Sequence, residues 1–372
     1  MNIGAPRQPS PERRVGITPE IARRYVEDGH QVQVGHGAGD AAGLPDDAFR
    51  EAGCEMVGSA WEADVVVTVG PPGDTELSRL APGACLLGLL RPLDEPHAME
   101  VLAGAGVTAI AFETLPRTTR AQSMDALSSQ ATLAGYEMVL EAASRLPRIF
   151  PMMVTAAGTI RPATVVVLGC GVAGLQAIAT ARRLGAVVRG YDVRASAAEQ
   201  VRSLGASFID LDVAPQDSST SGGYARPLSD DDGSRLLESL EPHLAPADVV
   251  ISAAAIPGRP APTLISAAAV AGMRPGSVIV DGAAERGGNC VLTVPDQVVR
   301  AGGVTVVGPT SLEARPAADA SRTFARNAYE LFSYLNDPAT AGADDEIRAG
   351  VTITRDGKVV HPEVLARIKA IL

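Results

Sequence analysis

Lysine is almost missing from this 372-residue chain: it stands only at Lys358 and Lys369, and the other basic side chains are arginines. Chemistry that needs a Schiff-base lysine or a buried lysine anchor is thereby excluded from nearly the whole sequence. The four cysteines (Cys54, Cys85, Cys170, Cys290) lie far apart, form no C-x-x-C pair and have no histidine close by. That spacing excludes a disulfide framework and a zinc site, and the expected compartment is the cytosol. A surplus of positive charge is also lacking. The net charge of −11 excludes nucleic acid as a partner, although a few local arginines can still hold a small anion. No run is long and apolar enough to span a bilayer: residues 165–181 carry three glycines and Gln176 and stop at Arg182-Arg183, short of the ~20 apolar residues a spanning helix needs. Met1-Asn2-Ile3-Gly4 is not a basic segment followed by an apolar one, so no secretion signal is expected.

With 46% apolar and 20% charged residues, what remains is the composition of a folded soluble protein of about two domains. Thr18-Pro19-Glu20 opens a helix, with Thr18 suited to the N-cap and Pro19 to the first helical position. Short β-rich runs follow at 31–34, 64–69, 85–90 and 107–112, separated by helix-compatible segments such as 45–52 and 96–105. This alternation implies βαβ units and a largely parallel sheet. From 121 to 146 the apolar residues Met124, Leu127, Ala131, Ala134 and Met138 recur at steps of three and four, the stripe of one long helix. A second alternating region then supplies strands at 163–168, 186–191, 247–252, 277–281 and 304–307, with helices at 173–184 and 196–204. After Gly308 the pattern is helical through Leu335, then a hairpin at 351–360 turns on Arg355-Asp356-Gly357. The expected architecture is α/β: two Rossmann-like parallel-sheet domains joined by long helices, the second inserted into the first. The first comprises 1–140 plus 312–372 and the second 145–310. One stretch, 214–233, is rich in Ser, Gly, Asp and Pro and is too long for an ordinary connection.

The strongest motif is Gly169-Cys170-Gly171-Val172-Ala173-Gly174, directly after a strand and opening a helix. Gly169 permits the tight turn, Gly171 lets backbone approach a pyrophosphate, and Gly174 lets helix and strand pack closely. The helix N-terminus then presents free amides and a positive dipole end to the anion. Asp192 ends the next strand, about 20 residues on, where a carboxylate accepts from both ribose hydroxyls and repels a 2′-phosphate. These features favour NAD over NADP. Arg194 lies close enough to pair with such a phosphate, and a tight turn with no ligand is the bland alternative. Arg117-Thr118-Thr119-Arg120-Ala121-Gln122-Ser123-Met124-Asp125 gathers two arginines, an amide and an acid at the domain junction. It is either a ligand-facing loop or an N-cap cluster with solvated charges. Asp281 follows the carboxyl end of a parallel strand, and either serves a ligand or caps the next turn. The five histidines (His30, His36, His97, His243, His361) sit in no motif.

Taken together, Arg14-Val15-Gly16-Ile17-Thr18-Pro19-Glu20, the 117–125 segment, the glycine turn with Leu175 to Ala181, Tyr191-Asp192-Val193-Arg194 and Gly287-Gly288-Asn289 resemble the alanine dehydrogenase and nicotinamide nucleotide transhydrogenase family, in particular its transhydrogenase branch. The resemblance implies an NAD(H) site in the cleft between two Rossmann-like domains of a homodimer. It also implies hydride transfer to NADP(H) held on a partner beta subunit, and proton movement through separate membrane-spanning subunits. The chain would then be cytoplasmic, and peripheral to the inner or plasma membrane through those partners. By the same resemblance Arg117, Gln122 and Asp125 orient the nicotinamide, with Ser128 on the same surface. Gly169, Cys170, Gly171, Val172 and Gly174 form the pyrophosphate turn. Asp192, Val193 and Arg194 take the adenosine ribose, Gly223 and Tyr224 belong to a loop that closes over nucleotide, and Ala255 lies on the adenine side. The dehydrogenase branch uses a histidine acid/base and a substrate-gripping lysine; here 85–90 (CLLGLL) and 66–71 (VVTVGP) stand in their places. A stand-alone alanine or amino-acid dehydrogenase, with His36 or His97 recruited as base, and a non-catalytic nucleotide sensor are the competing readings.

Overall fold

Six short β-rich runs build the first sheet: β1 (Asn2–Ala5), β2 (Gln31–Gly35), β3 (Glu55–Val57), β4 (Val65–Thr68), β5 (Cys85–Gly88) and β6 (Thr108–Ala111). A computed structural model of the chain describes residues 1–211, 230–256, 258–340, 342 and 345–371. The strands are ordered β3-β2-β1-β4-β5-β6 and every neighbour is parallel. Such a sheet must be covered on both faces, which is why its strands are apolar runs rather than alternating ones. Residues i and i+1 then enter different cores: Val65 and Val67 pack with Phe49, Phe324 and Leu331, whereas Val66 packs with Leu86, Met99 and Val364.

The second sheet repeats the plan. After an exposed hairpin, β7 (Met153–Thr155) and β8 (Gly158–Ile160), come β9 (Thr164–Leu168), β10 (Val187–Tyr191), β11 (Ser207–Phe208), β12 (Val249–Ser252), β13 (Val278–Asp281), β14 (Val298–Ala301) and β15 (Val304–Val307). The order is β11-β10-β9-β12-β13-β15-β14, parallel except for the antiparallel β14–β15 pair. Both sheets therefore carry the doubly wound order, in which the strand sequence reverses direction between the first and fourth strands. Val165 and Val167 enter one core of this sheet; Val166 and Leu168 enter the other.

The chain divides into a unit of Met1–Gln130 with Ala314–Leu372 and a unit of Ala131–Glu313. The helix Ala126–Arg145 carries it from one to the other. The expected stripe from 121 to 146 is not one helix. Thr119–Met124 is a 3-10 segment, Asp125 leaves helical geometry at ψ 84°, and the α-helix starts at Ala126. Apolar spacing cannot distinguish these pieces, because a 3-10 turn puts Ala121 and Met124 inward just as an α-turn does. Thr18 occupies the N-cap position before Pro19, but its hydroxyl makes no capping bond. Strands β3, β11 and β14 lie outside the expected β-rich runs: each is short and partly exposed, without an apolar run. The C-terminal hairpin turns at Asp356 and Gly357, both with positive φ, between Thr354–Arg355 and Lys358–Val359.

Phe324 is fully buried and meets Phe112 edge to face at 5.5 Å between ring centroids. Phe324→Ala is expected to cost the first unit about 3–5 kcal/mol, read as a lower urea midpoint. An unchanged midpoint would show that this ring is not part of the core.

Candidate functional site

The second sheet reaches its ligand-binding edge at Leu168. Gly169 then turns the chain with φ 84°, and its amide donates to the carbonyl of Tyr191 at 2.8 Å. A Cβ at Gly169 would stand 2.7 Å from the amide nitrogen of Ala254, and one at Gly174 would stand 1.9 Å from the carbonyl oxygen of Gly169. Backbone blocks both positions, so only glycine fits. Gly171 differs: a Cβ there would meet nothing within 4 Å, so the backbone faces open space where a ligand can approach. Val172 begins the helix Val172–Arg183, whose first-turn amides have no intrahelical acceptor and suit an anion.

Asp192, at the end of β10, is almost fully buried, and both its oxygens are engaged. Oδ1 accepts from the amide and Nε of Arg194, both at 2.9 Å; Oδ2 accepts from Cys170 N at 2.8 Å and from Arg194 at 2.9 Å. The acid therefore pins the glycine turn to its own strand, and Arg194 neutralises it. The carboxylate raises the pKa of the guanidinium further. The amide of Cys170 faces Asp192 rather than a ligand. Its buried thiol is pushed up to about 12, chiefly by burial, so it carries no nucleophilic chemistry at neutral pH. Val193 packs into the neighbouring core and Ala255 is exposed just beyond β12. Gly223 and Tyr224 lie outside the described residues.

From sequence, Asp281 is open between ligand and cap, and Asn289 has no role of its own. In the structure Asp281 is fully buried. It accepts from Ala283 N (3.1 Å), Asn289 N (2.7 Å), Cys290 N (2.9 Å) and Thr293 Oγ1 (2.6 Å), so it caps the loop that follows β13. The chain can fold back onto it because Gly287 and Gly288 both take positive φ, 93° and 82°. The pair Gly287-Gly288 before a polar residue is the signal the sequence offers.

Arg117, Gln122, Asp125 and Ser128 belong to the first unit. Ala121 and Met124 are buried and Asn327 donates to the carbonyl of Ser123 at 2.7 Å. The 3-10 segment is thus anchored on one side and shows Gln122 on the other; Arg117 is also exposed. Asp125 accepts from Ser128 N at 2.8 Å and Ser128 Oγ at 2.6 Å, so it is the N-cap of the long helix. Arg120 pairs with Glu346 at 3.3 Å. At the first sheet's own reversal point, between β1 and β4, the buried Gln8 Oε1 accepts from Thr68 Oγ1 (3.0 Å), Val69 N (3.2 Å) and Gly70 N (3.4 Å). His36 and His97 are exposed and rest on Asp46 and Glu100 at 3.0 and 2.7 Å. Glu113 accepts from Arg91 N at 2.6 Å. Burial, with Asp94 adding repulsion, pushes its carboxyl up to about 7.

A doubly wound sheet with a glycine turn and an acid-ended second strand defines a Rossmann-type protein. Residues 4–134 match the family described as alanine dehydrogenase/PNT, N-terminal domain, and residues 138–362 match its C-terminal domain. The chain belongs to the alanine dehydrogenase/PNT family. It is 45% identical to an NAD(P) transhydrogenase subunit alpha protein of Rhodospirillum rubrum, across 97% of this chain and 98% of that one. It resembles the crystal structure of transhydrogenase from Sinorhizobium meliloti with a TM-score of 0.84 and 40% identity, covering 97% of this chain and 99% of that one. A solved L-alanine dehydrogenase aligns over 100% of both chains with a TM-score of 0.82 and 27% identity.

Two expectations follow from this geometry. Gly174→Ala puts a methyl group into the Gly169 carbonyl, so the turn opens, Tm falls and dinucleotide binding is lost in a fluorescence titration; wild-type binding would show that the turn tolerates the displacement. Glu113 holds its proton more tightly folded than unfolded, so that contribution to stability is fully present below about 4.5 and lost as pH rises through about 7. Glu113→Gln removes the titration, so Tm measured from pH 5 to 8 should fall less with pH than in the wild type. Parallel profiles would place the carboxyl in water.

Proposed function

We propose that this chain is the NAD(H)-binding portion of the alpha subunit of a transhydrogenase. Hydride passes directly between NAD(H) held here and NADP(H) held on a partner beta subunit. Separate membrane-spanning subunits couple the transfer to proton translocation. The working form is a homodimer lying against the cytoplasmic face of the membrane through those partners. Among the described residues no helix is long and apolar enough to cross a membrane itself.

The observation that carries this reading is the pairing of a complete dinucleotide turn with sheet ends that lack the dehydrogenase groups. The space outside Gly171 and the first-turn amides of Val172–Arg183 suit a pyrophosphate. Asp192, Val193 and Arg194 stand where the adenosine ribose belongs, and Ala255 lines the neighbouring strand end. Gly223 and Tyr224 would close over the nucleotide. In the first unit, Arg117 and Gln122 are displayed on a loop whose other side is buried, and Asp125 with Ser128 fixes its exit. Their role is to orient the nicotinamide end. Bound NAD(H) supplies the hydride. Oxidising an amine or alcohol also removes a proton and needs a positioned base. Passing a hydride between two nicotinamides needs two rings held at near-attack distance with water excluded. At the ends of β4 and β5 stand Thr68, Val69, Gly70, Leu89 and Leu90, with neither a histidine nor a lysine.

The purified chain should bind NADH, form no NADH from alanine and NAD, and transfer hydride once mixed with an NADP(H)-loaded beta subunit. NADH production from alanine by the chain alone would establish the dehydrogenase instead, and binding with no turnover in the mixture would leave a nucleotide sensor. Asp192→Ala should weaken NADH binding about tenfold or more, since a charge-assisted hydrogen bond is worth about 1.5–3 kcal/mol. The freed Arg194 should at the same time narrow the preference for NADH over NADPH. Unchanged affinities would remove Asp192 from the site. Gln122→Asn should spare binding and slow transfer.

A further inference from the structure

We infer that Asn289 is a positioning residue of the dinucleotide site, the clamp that sets the width of the crevice between the glycine turn and the end of β12. The inference rests on the nucleotide reading above and concerns a residue to which that reading gives no role.

In the second sheet the reversal of strand order falls between β9 and β12, and a ligand of a doubly wound sheet sits outside the strand ends at that point. One wall of the crevice is therefore the turn after β9, Gly169 to Gly171. The other is the segment after β12, Ala253 to Ala255. The walls already touch at their base, because a Cβ on Gly169 would lie 2.7 Å from Ala254 N and 2.8 Å from Ala254 Cα. A displacement of Ala254 by a few tenths of an ångström therefore changes the crevice directly.

What holds Ala254 is the side chain of Asn289. Its Oδ1 accepts from Ala254 N at 3.2 Å and from Ser252 Oγ at 2.6 Å. Its Nδ2 donates to Ala254 O at 2.8 Å and to Pro262 O at 2.7 Å. The amide thus grips Ala254 by both backbone groups, as a neighbouring strand would, although no strand lies there. Asn289 is itself immobilised. Its amide donates to Asp281 at 2.7 Å and its carbonyl accepts from Leu264 N and Ile265 N at 2.8 and 3.0 Å. It is fully buried, with every polar atom satisfied. Only an amide serves: aspartate would place an oxygen against the Ala254 and Pro262 carbonyls, and alanine would leave Ser252, Ala254 and Pro262 without these partners.

The test uses the full chain, with NADH followed by its fluorescence and ADP by displacement of NADH. ADP carries the diphosphate that must enter the crevice and lacks the nicotinamide. Asn289→Asp should raise Kd for NADH and for ADP by the same factor, about tenfold, as expected for misplaced site backbone. In the mixture with the beta subunit the loss should fall on KM for NADH more than on kcat. Ser252→Ala removes one bond of the clamp and should shift both Kd values in the same direction by about threefold. If Asn289→Asp does not fold, Ser252→Ala decides. Wild-type Kd values in a folded variant, or a rise for NADH without one for ADP, would overturn the clamp. A wild-type chain that binds no NADH would instead remove the nucleotide reading itself.

Discussion

The contact between Gly169 and Gly174 governs the second unit. The carbonyl oxygen of one lies where the other's methyl would be, so strand and helix approach as closely as two backbones can. Everything at the site is arranged around that approach. It fixes where the helix begins, hence where its unpaired amides face, and it leaves Gly171 as the one glycine of the three with free space before it. Asp192 reinforces the turn by accepting from Cys170 N, so the acid that ends β10 is at once a surface for ligand and a brace for the turn.

Two buried aspartates illustrate how alike structural and functional acids look from a distance. Asp192 and Asp281 both end parallel strands and both accept several hydrogen bonds. The difference is the partner. Asp281 is surrounded by backbone amides and a threonine hydroxyl of its own loop, so its charge is used up in folding. Asp192 shares its charge with the half-buried side chain of Arg194, which can move. A carboxylate whose counter-ion is mobile can change partners when a ligand arrives, whereas one held by backbone cannot.

The same distinction explains what can be read from the amino acids. Runs such as Thr164 to Leu168, buried on both faces, identify central parallel strands, and the glycine spacing locates the turn because each glycine answers a separate steric demand. The edge strands β3 and β14 are not legible, since half-exposed three- and four-residue segments carry no pattern. The break at Asp125 is hidden because apolar periodicity is blind to a single non-helical residue, although an aspartate three residues before a serine amide is a capping signal. Asn289 stands out in the sequence only as the end of Gly287-Gly288-Asn289: its importance lies in bonds to Ser252, Ala254 and Pro262, none of which is near it along the chain. Asp192 is legible as a strand end, but its saturation by Arg194 becomes visible only in three dimensions.

Both sheets have the same strand order, yet their reversal points are furnished differently. In the second, that place opens beside Gly171; in the first, the amide of Gln8 is wedged across Thr68, Val69 and Gly70. A side chain thus occupies the berth that the repeated topology would otherwise offer twice. The stoichiometry this sets is one dinucleotide per polypeptide, leaving the duplicated half of the molecule to act as scaffold for its twin.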